Sequence, residues 1–132
     1  MTYEEWELRF PASLKADVIW RVQAFRLASY AADCAEEDTR RATTEARFAS
    51  IAAQLCTAAG SIAANIAEGY PRRSARDRVR YYEYALGSTG ESKSWYLRLR
   101  PMIEPAIIDA RLELLQSITR LLQTMIRSSR DK

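Results

Sequence analysis

The sequence predicts an all-α fold, an antiparallel up-down-up-down four-helix bundle. Three observations carry this. The 132 residues are 48% apolar with only four glycines, and the helix formers Ala, Leu, Arg and Glu recur throughout. Apolar residues return at intervals of three and four in four separate segments. Short polar or proline-containing breaks separate those segments, and short connections favour antiparallel neighbours. The chain reads as one domain, with an N-terminal arm over residues 1–13, the bundle over 14–128 and a frayed tail over 129–132.

The arm carries Tyr3, Trp6 and Phe10 and closes at Pro11. Aromatic residues in a short tail dock on something, either the chain's own bundle or a neighbouring subunit. The first helix is expected from Leu14 to about Ala35, with Ser13 as its N-cap. Leu14, Val18, Val22, Phe25 and Ser29 form its stripe, widened by Ile19 and Trp20. The polar run Glu36–Arg41 is the connection.

The second helix is expected from about Thr44 to Glu68, with Phe48, Ile51, Leu55, Ala59, Ile62 and Ile66 as its core. Gly60, Ser61, Ala63, Ala64 and Ala67 are small enough to let another helix come close. Gly69 is placed where a helix ends in a left-handed residue, and Pro71 forbids continuation. The third helix is expected from about Ala75 to Leu99, opened by a capping box of Ser74 and Asp77 and ended by Pro101. Its apolar positions are Val79, Tyr82, Leu86 and Tyr96, with Tyr81, Tyr84 and Trp95 broadening the face. Pro105 suits the first turn of a fourth helix running to about Ser128, with Ile108, Leu112, Leu115, Ile118, Leu122 and Met125 inside.

No apolar run approaches the roughly 20 residues that span a bilayer, and Met1–Phe10 is acidic and aromatic, unlike a signal peptide. The expected location is the cytoplasm, where Cys34 and Cys56 serve as small reduced residues. The chain contains no histidine, which removes the commonest general base and the Ser-His and Cys-His nucleophile pairs. It also lacks a Gly-rich phosphate loop. The expectation is a protein that is not an enzyme and uses no metal and no cofactor.

Charge is unevenly spread. Residues 1–69 hold 7 Lys/Arg against 10 Asp/Glu, net −3, and residues 70–132 hold 13 against 7, net +6. The basic half opens with Arg72, Arg73, Arg76, Arg78 and Arg80. These cations sit at a helix N-terminus, whose dipole is already positive. That placement costs stability and points to an anionic partner. Arginine forms bidentate bonds to phosphate at any working pH, so nucleic acid is the leading expectation. Arg72 and Arg73 flank the helix start and are the first choice of phosphate ligand. Arg120, Arg127, Arg130 and Lys132 extend the patch, and Tyr70, Tyr81 and Tyr84 can stack on bases. The plainer reading is a solvated face neutralised by Asp77, Glu83 and Glu68. Asn65, Glu68, Ser88 and Glu91 are polar residues within packed helices, expected to pair in a structural network between the second and third helices.

The string from Ser61 to Ser74, S-I-x-A-N-I-A-E-G-x-x-R-R-S, followed by Ala85-Leu86-Gly87-Ser88 and by Glu91, resembles the bacterial "four helix bundle protein" family. That family includes proteins encoded in intervening sequences of large-subunit ribosomal RNA genes and the accessory variability protein of diversity-generating retroelements. The signature spans about a quarter of the chain, and the four-helix layout nearly all of it. Ala63 stands where the family usually has Pro, and Thr89-Gly90 replaces a more apolar pair. The resemblance implies a homopentameric ring and, from the retroelement branch, binding to nucleic acid and to a reverse transcriptase through basic surfaces. The aromatic excess in Trp20, Trp95, Tyr84 and the arm independently suggests a subunit interface. The leading expectation is a homo-oligomer that binds RNA or DNA, and the alternative is a protein-interaction scaffold with no nucleic-acid role.

Overall fold

The computed structural model describes residues 1–131. It is all-helical, with no strand among the described residues. The helices are α1 (Tyr3–Arg9), α2 (Ala12–Lys15), α3 (Gln23–Asp38), α4 (Ala49–Gly69), α5 (Ala75–Arg98) and α6 (Pro105–Arg130), with 3-10 turns at Val18–Arg21 and Ala42–Thr44. The four long helices touch in a closed cycle: α3 on α4, α4 on α5, α5 on α6, and α6 back on α3. The most extensive contact is between α4 and α5.

The core lies inside that cycle. Leu55, Ile62 and Ile66 of α4 and Leu115, Ile118 and Leu122 of α6 are almost wholly buried. Each contributes about 1.5–3 kcal/mol of apolar burial. The core sides of α3 and α5 mix small and large residues: Ala24, Ala28, Ala31 and Ala35 with Phe25 on one, Ala85, Thr89 and Ser92 with Val79, Tyr82 and Tyr96 on the other. The hydroxyls of Thr89 and Ser92 donate to the carbonyls of Ala85 and Ser88, each at 2.8 Å, so neither is left unpaired. Thr89-Gly90 therefore does not interrupt α5.

Two helices begin later than their stripes suggested. The first long helix starts at Gln23 rather than Leu14, because Asp17 turns its carboxylate onto the Ile19 N–H at 2.9 Å and stabilises a 3-10 turn instead. Val18, taken as a core residue, is 53% exposed as a result. The second starts at Ala49 rather than Thr44, because Thr43 and Thr44 bond back to the carbonyls of Arg40 and Arg41 and hold a turn. At the other end, α6 continues through Ser129 to Arg130. Ser129 is buried and Arg130 is bonded to Glu83, so those two residues are not frayed. The expectation for residue 132 lies outside the described residues.

The arm is helical and docks on its own chain. Thr2 and Glu5 form a capping box for α1. Trp6 is buried against Tyr30 and Cys34 of α3, and its indole N–H donates to Asp33 at 2.7 Å. Trp20 stacks with Phe10 and Trp6 at centroid distances of 4.9 and 6.1 Å. Trp20 and the arm aromatics are thus consumed within the chain and no longer argue for a subunit interface. Burial pushes the Tyr30 hydroxyl up to about 12 and also raises the neighbouring Cys34 thiol. Both cysteines are free.

A buried ion pair ties α3 to α6. Asp38 accepts from the Nε of Arg111 at 2.7 Å and from a terminal guanidinium nitrogen at 3.2 Å, and from the Tyr96 hydroxyl at 2.7 Å. Its side chain is 4% exposed. This bidentate pair with a third donor satisfies the carboxylate. Desolvation and the adjacent carboxylate raise the Tyr96 hydroxyl well above its ordinary range.

Two sequence expectations are corrected here. Ala49–Gly69 is long and apolar enough by composition to cross a membrane, with a mean hydropathy of 1.3 over its window; in this fold it is the α4 that supplies the core. And Gly69 is not left-handed, since no glycine has a positive φ. Its requirement is space: a Cβ there would lie 2.7 Å from the Cβ of Tyr81 and 3.2 Å from the Tyr82 ring. A Cβ at Gly60 would meet nothing within 4 Å beyond its own helix backbone among the described residues.

Two outcomes follow. Gly69→Ala should destabilise by about 1–3 kcal/mol through overpacking against α5, whereas Gly60→Ala should stabilise a folded single chain by up to about 1 kcal/mol through helix propensity; urea melts of both variants read the two signs. Arg111→Met should cost about 3 kcal/mol by stranding the Asp38 carboxylate, and Asp38→Leu in the same background should recover most of it, in the same melts.

Candidate functional site

The five arginines lie on the connection between α4 and α5 and on the first turns of α5. Local bonds shape this segment. The Tyr70 N–H reaches the Ile66 carbonyl at 2.9 Å and closes α4, and the Arg72 N–H reaches Gly69 at 3.0 Å. Ser74 takes the extended conformation of an N-cap and accepts from the Asp77 N–H at 3.3 Å. Only this half of the expected capping box is made.

The arginines do not act as five equivalents. Arg78 turns back on the connection and donates one guanidinium nitrogen to the carbonyls of Arg72 and Arg73, at 2.8 and 2.9 Å. It satisfies backbone acceptors in the connection between the helices, so it holds the segment and is not a free cation. Arg72 donates to the Glu68 carbonyl at 3.1 Å and lies 3.7 Å from its carboxylate. Arg80 lies 3.7 Å from Asp77. These exposed pairs are worth little and exchange readily for another anion. Both guanidiniums also sit over the Tyr81 ring, at 5.1 and 5.0 Å from its centroid. Tyr84 meets Tyr81 edge-on at 5.9 Å and is 51% exposed. Arg73 and Arg76 are exposed, and their guanidiniums make no hydrogen bond or ion pair with any described residue.

At the end of α6, Arg120 and Arg127 donate only to hydroxyls of their own helix, at 3.4 and 3.3 Å. Arg130 is paired with Glu83 at 2.7 Å. Lys132 lies outside the described residues. The basic surface therefore centres on Arg73 and Arg76, flanked by Arg72 and Arg80.

Asn65, Glu68, Ser88 and Glu91 do not meet as one network. The Asn65 amide donates to the Ser61 carbonyl of its own helix at 2.8 Å. Glu68 is exposed beside Arg72. Ser88 bonds to Ser61 and is the member that joins α4 to α5, while Glu91 is exposed without a partner among the described residues. The reason is rotational. The shared face of α4 and α5 is marked by Ser61 against Ser88 and by Gly69 against Tyr81 and Tyr82, while Glu68 and Glu91 are exposed to solvent. Sequence reasoning missed the Asp38–Arg111–Tyr96 cluster, whose members are too far apart in sequence to signal one another. It also missed the Thr2-Glu5 cap, which a pattern of Thr followed three residues later by Glu announces. Among the described residues no group of three His, Cys, Asp or Glu side chains gathers to hold a metal.

Comparison with known proteins adds two findings. Residues 23–124 match the family described as 23S rRNA-intervening sequence protein. A crystal structure of a protein of unknown function from the S23 ribosomal protein family of Bacteroides thetaiotaomicron VPI-5482 is similar, with a TM-score of 0.72 at 20% identity, covering 78% of this chain and 97% of that one. At that identity the likeness speaks for the fold. None of the curated proteins matches.

The division of labour among the arginines is measurable. Arg78→Ala should lower stability by about 1–2 kcal/mol because two backbone carbonyls lose a charged donor, while Arg73→Ala/Arg76→Ala should leave stability within about 0.5 kcal/mol of the parent; differential scanning calorimetry separates them.

Proposed function

The chain belongs to the 23S rRNA-intervening sequence protein family, and from that premise we propose a non-enzymatic protein that binds nucleic acid without sequence preference through the segment between α4 and α5. The observation that carries this reading is the pair Arg73 and Arg76, exposed and unpaired among the described residues, at a helix start where the dipole disfavours cations. Phosphate relieves that repulsion and accepts the fork geometry of the guanidinium. Arg72 and Arg80 join them by exchanging weak surface partners for phosphate. The family's description, tied to a ribosomal RNA intervening sequence, favours an RNA-related role.

The same proposal includes self-assembly. The closed cycle of long helices reads as an antiparallel four-helix bundle whose α4 leaves Ala53, Thr57, Gly60 and Ala64 facing outward. Among the described residues nothing would crowd a Cβ at Gly60, Gly87 or Gly90 within 4 Å, and Tyr84 and Leu97 stay exposed on α5. Small residues along a helix allow close approach of another helix. A homopentamer in the cytoplasm repeats the basic segment five times, which raises the effective affinity of each weak contact. The exposed α4 and α5 face is also the observation that favours the second reading, a protein-interaction scaffold.

The test is fluorescence anisotropy of labelled RNA and DNA across a salt series, with the assembled state checked by light scattering. Arg73→Ala/Arg76→Ala should weaken binding and reduce the slope of log K against log salt by about 1.5–2, as loss of two phosphate contacts requires. An assembled protein that binds neither RNA nor DNA at low salt overturns the nucleic-acid reading. A bound protein partner that resists competition by excess nucleic acid supports the scaffold instead.

A further inference from the structure

The junction of α4, α5 and α6 offers more than charge. A groove of about 630 Å³ opens there between Tyr70, Arg78 and Tyr82 on one side and Thr124, Met125 and Ser128 on the other. That volume lies within the roughly 300–1,000 Å³ range of pockets that receive small ligands. Its chemistry is mixed. Tyr70 is 37% exposed as a residue, and its ring joins no aromatic pair among the described residues. Met125 supplies a polarisable wall. Ser128 is exposed, and its hydroxyl bonds to none of the described residues, so it is free to donate or accept. Arg78 lines the groove and at the same time holds the Arg72 and Arg73 carbonyls. One side chain therefore joins the groove to the arginine segment.

We infer that this groove receives an unstacked base of a single-stranded nucleic acid whose phosphates rest on Arg73 and Arg76. The inference rests on the nucleic-acid reading above and names the form of ligand. An aromatic face accepts any base, because every base has a π-face, and the Ser128 hydroxyl, able to donate or accept, tolerates any base edge. Such a site suits binding without sequence preference. A duplex cannot fill it without flipping a base out of its stack, which costs unpairing and unstacking. Tyr70 is the platform rather than Tyr81 or Tyr84, because Tyr81 already carries Arg72 and Arg80 over its ring, and Tyr84 packs edge-on against Tyr81.

The experiment compares a mixed-sequence strand of about 20 nucleotides, longer than the site sizes typical of single-strand binders, with its own duplex, in RNA and DNA versions, by anisotropy at one salt concentration. The full chain should bind the single strand about tenfold more tightly than the duplex, the scale of one stacked base. Tyr70→Ala should remove that advantage and leave duplex binding unchanged. Ser128→Leu, which crowds the groove with no new aromatic face and keeps the tyrosine, should do the same. Arg73→Ala/Arg76→Ala should weaken both ligands alike. Equal affinity for strand and duplex, or a single-strand advantage that survives both groove variants, overturns the base pocket while leaving the phosphate reading intact. Loss of all binding in the parent protein overturns both.

Discussion

Position 69 and Tyr81 cannot both carry a side chain where their backbones meet, and the geometry of the basic surface follows from that exclusion. With hydrogen at position 69, the last turn of α4 rests directly on the Tyr81 Cβ and the Tyr82 ring. The connection between the helices then has only a few residues in which to reverse, and Pro71 and the Ser74 cap use them. Arg72 is brought over the Tyr81 ring and Arg78 under the carbonyls of residues 72 and 73. A wider crossing would separate these groups. The pattern of paired and unpaired arginines is thus a consequence of packing, set several residues before the first arginine.

Much of this was legible. The 3-4 periodicity located the four long helices and the large core residues of α4 and α6, because apolar spacing is imposed by the core itself, but it passed over the small buried residues, Ala24, Ala28, Ala31 and Ala35 on α3 and Ala85, Thr89 and Ser92 on α5. It over-extended the first two at their starts, where short polar side chains win local competitions: Asp17 takes the Ile19 N–H, and Thr43 and Thr44 take carbonyls. Gly69 was recognised as special for the wrong reason, since close approach and left-handed geometry both select glycine. The five arginines were visible as a cluster. That Arg78 holds the connection while Arg73 and Arg76 stay free depends on where each guanidinium points within one turn, which spacing alone does not encode.

The aromatic residues show how local closure changes an argument about assembly. Seen along the sequence, Trp6, Phe10 and Trp20 looked like surplus apolar surface. Folded, they form one stack beside Tyr30, closed by the Trp6 bond to Asp33. What remains outward is of a different kind: a small-residue face on α4, with Tyr84 and Leu97 on α5. The case for self-association therefore moves from burying large rings to fitting helices closely.

The buried carboxylate of Asp38 also selects handedness. Four helices joined by short connections can wind around their core in either sense, and the apolar stripes alone distinguish the two poorly. In the observed sense, the flank of α3 that bears Asp38 faces α6, where Arg111 meets it. Wound the other way, that flank would face α4, and the twenty-one residues of α4 contain no lysine or arginine. The carboxylate would then be buried without a counter-ion, a cost of several kcal/mol. A single acidic side chain thereby separates two topologies that hydrophobic patterning leaves nearly degenerate.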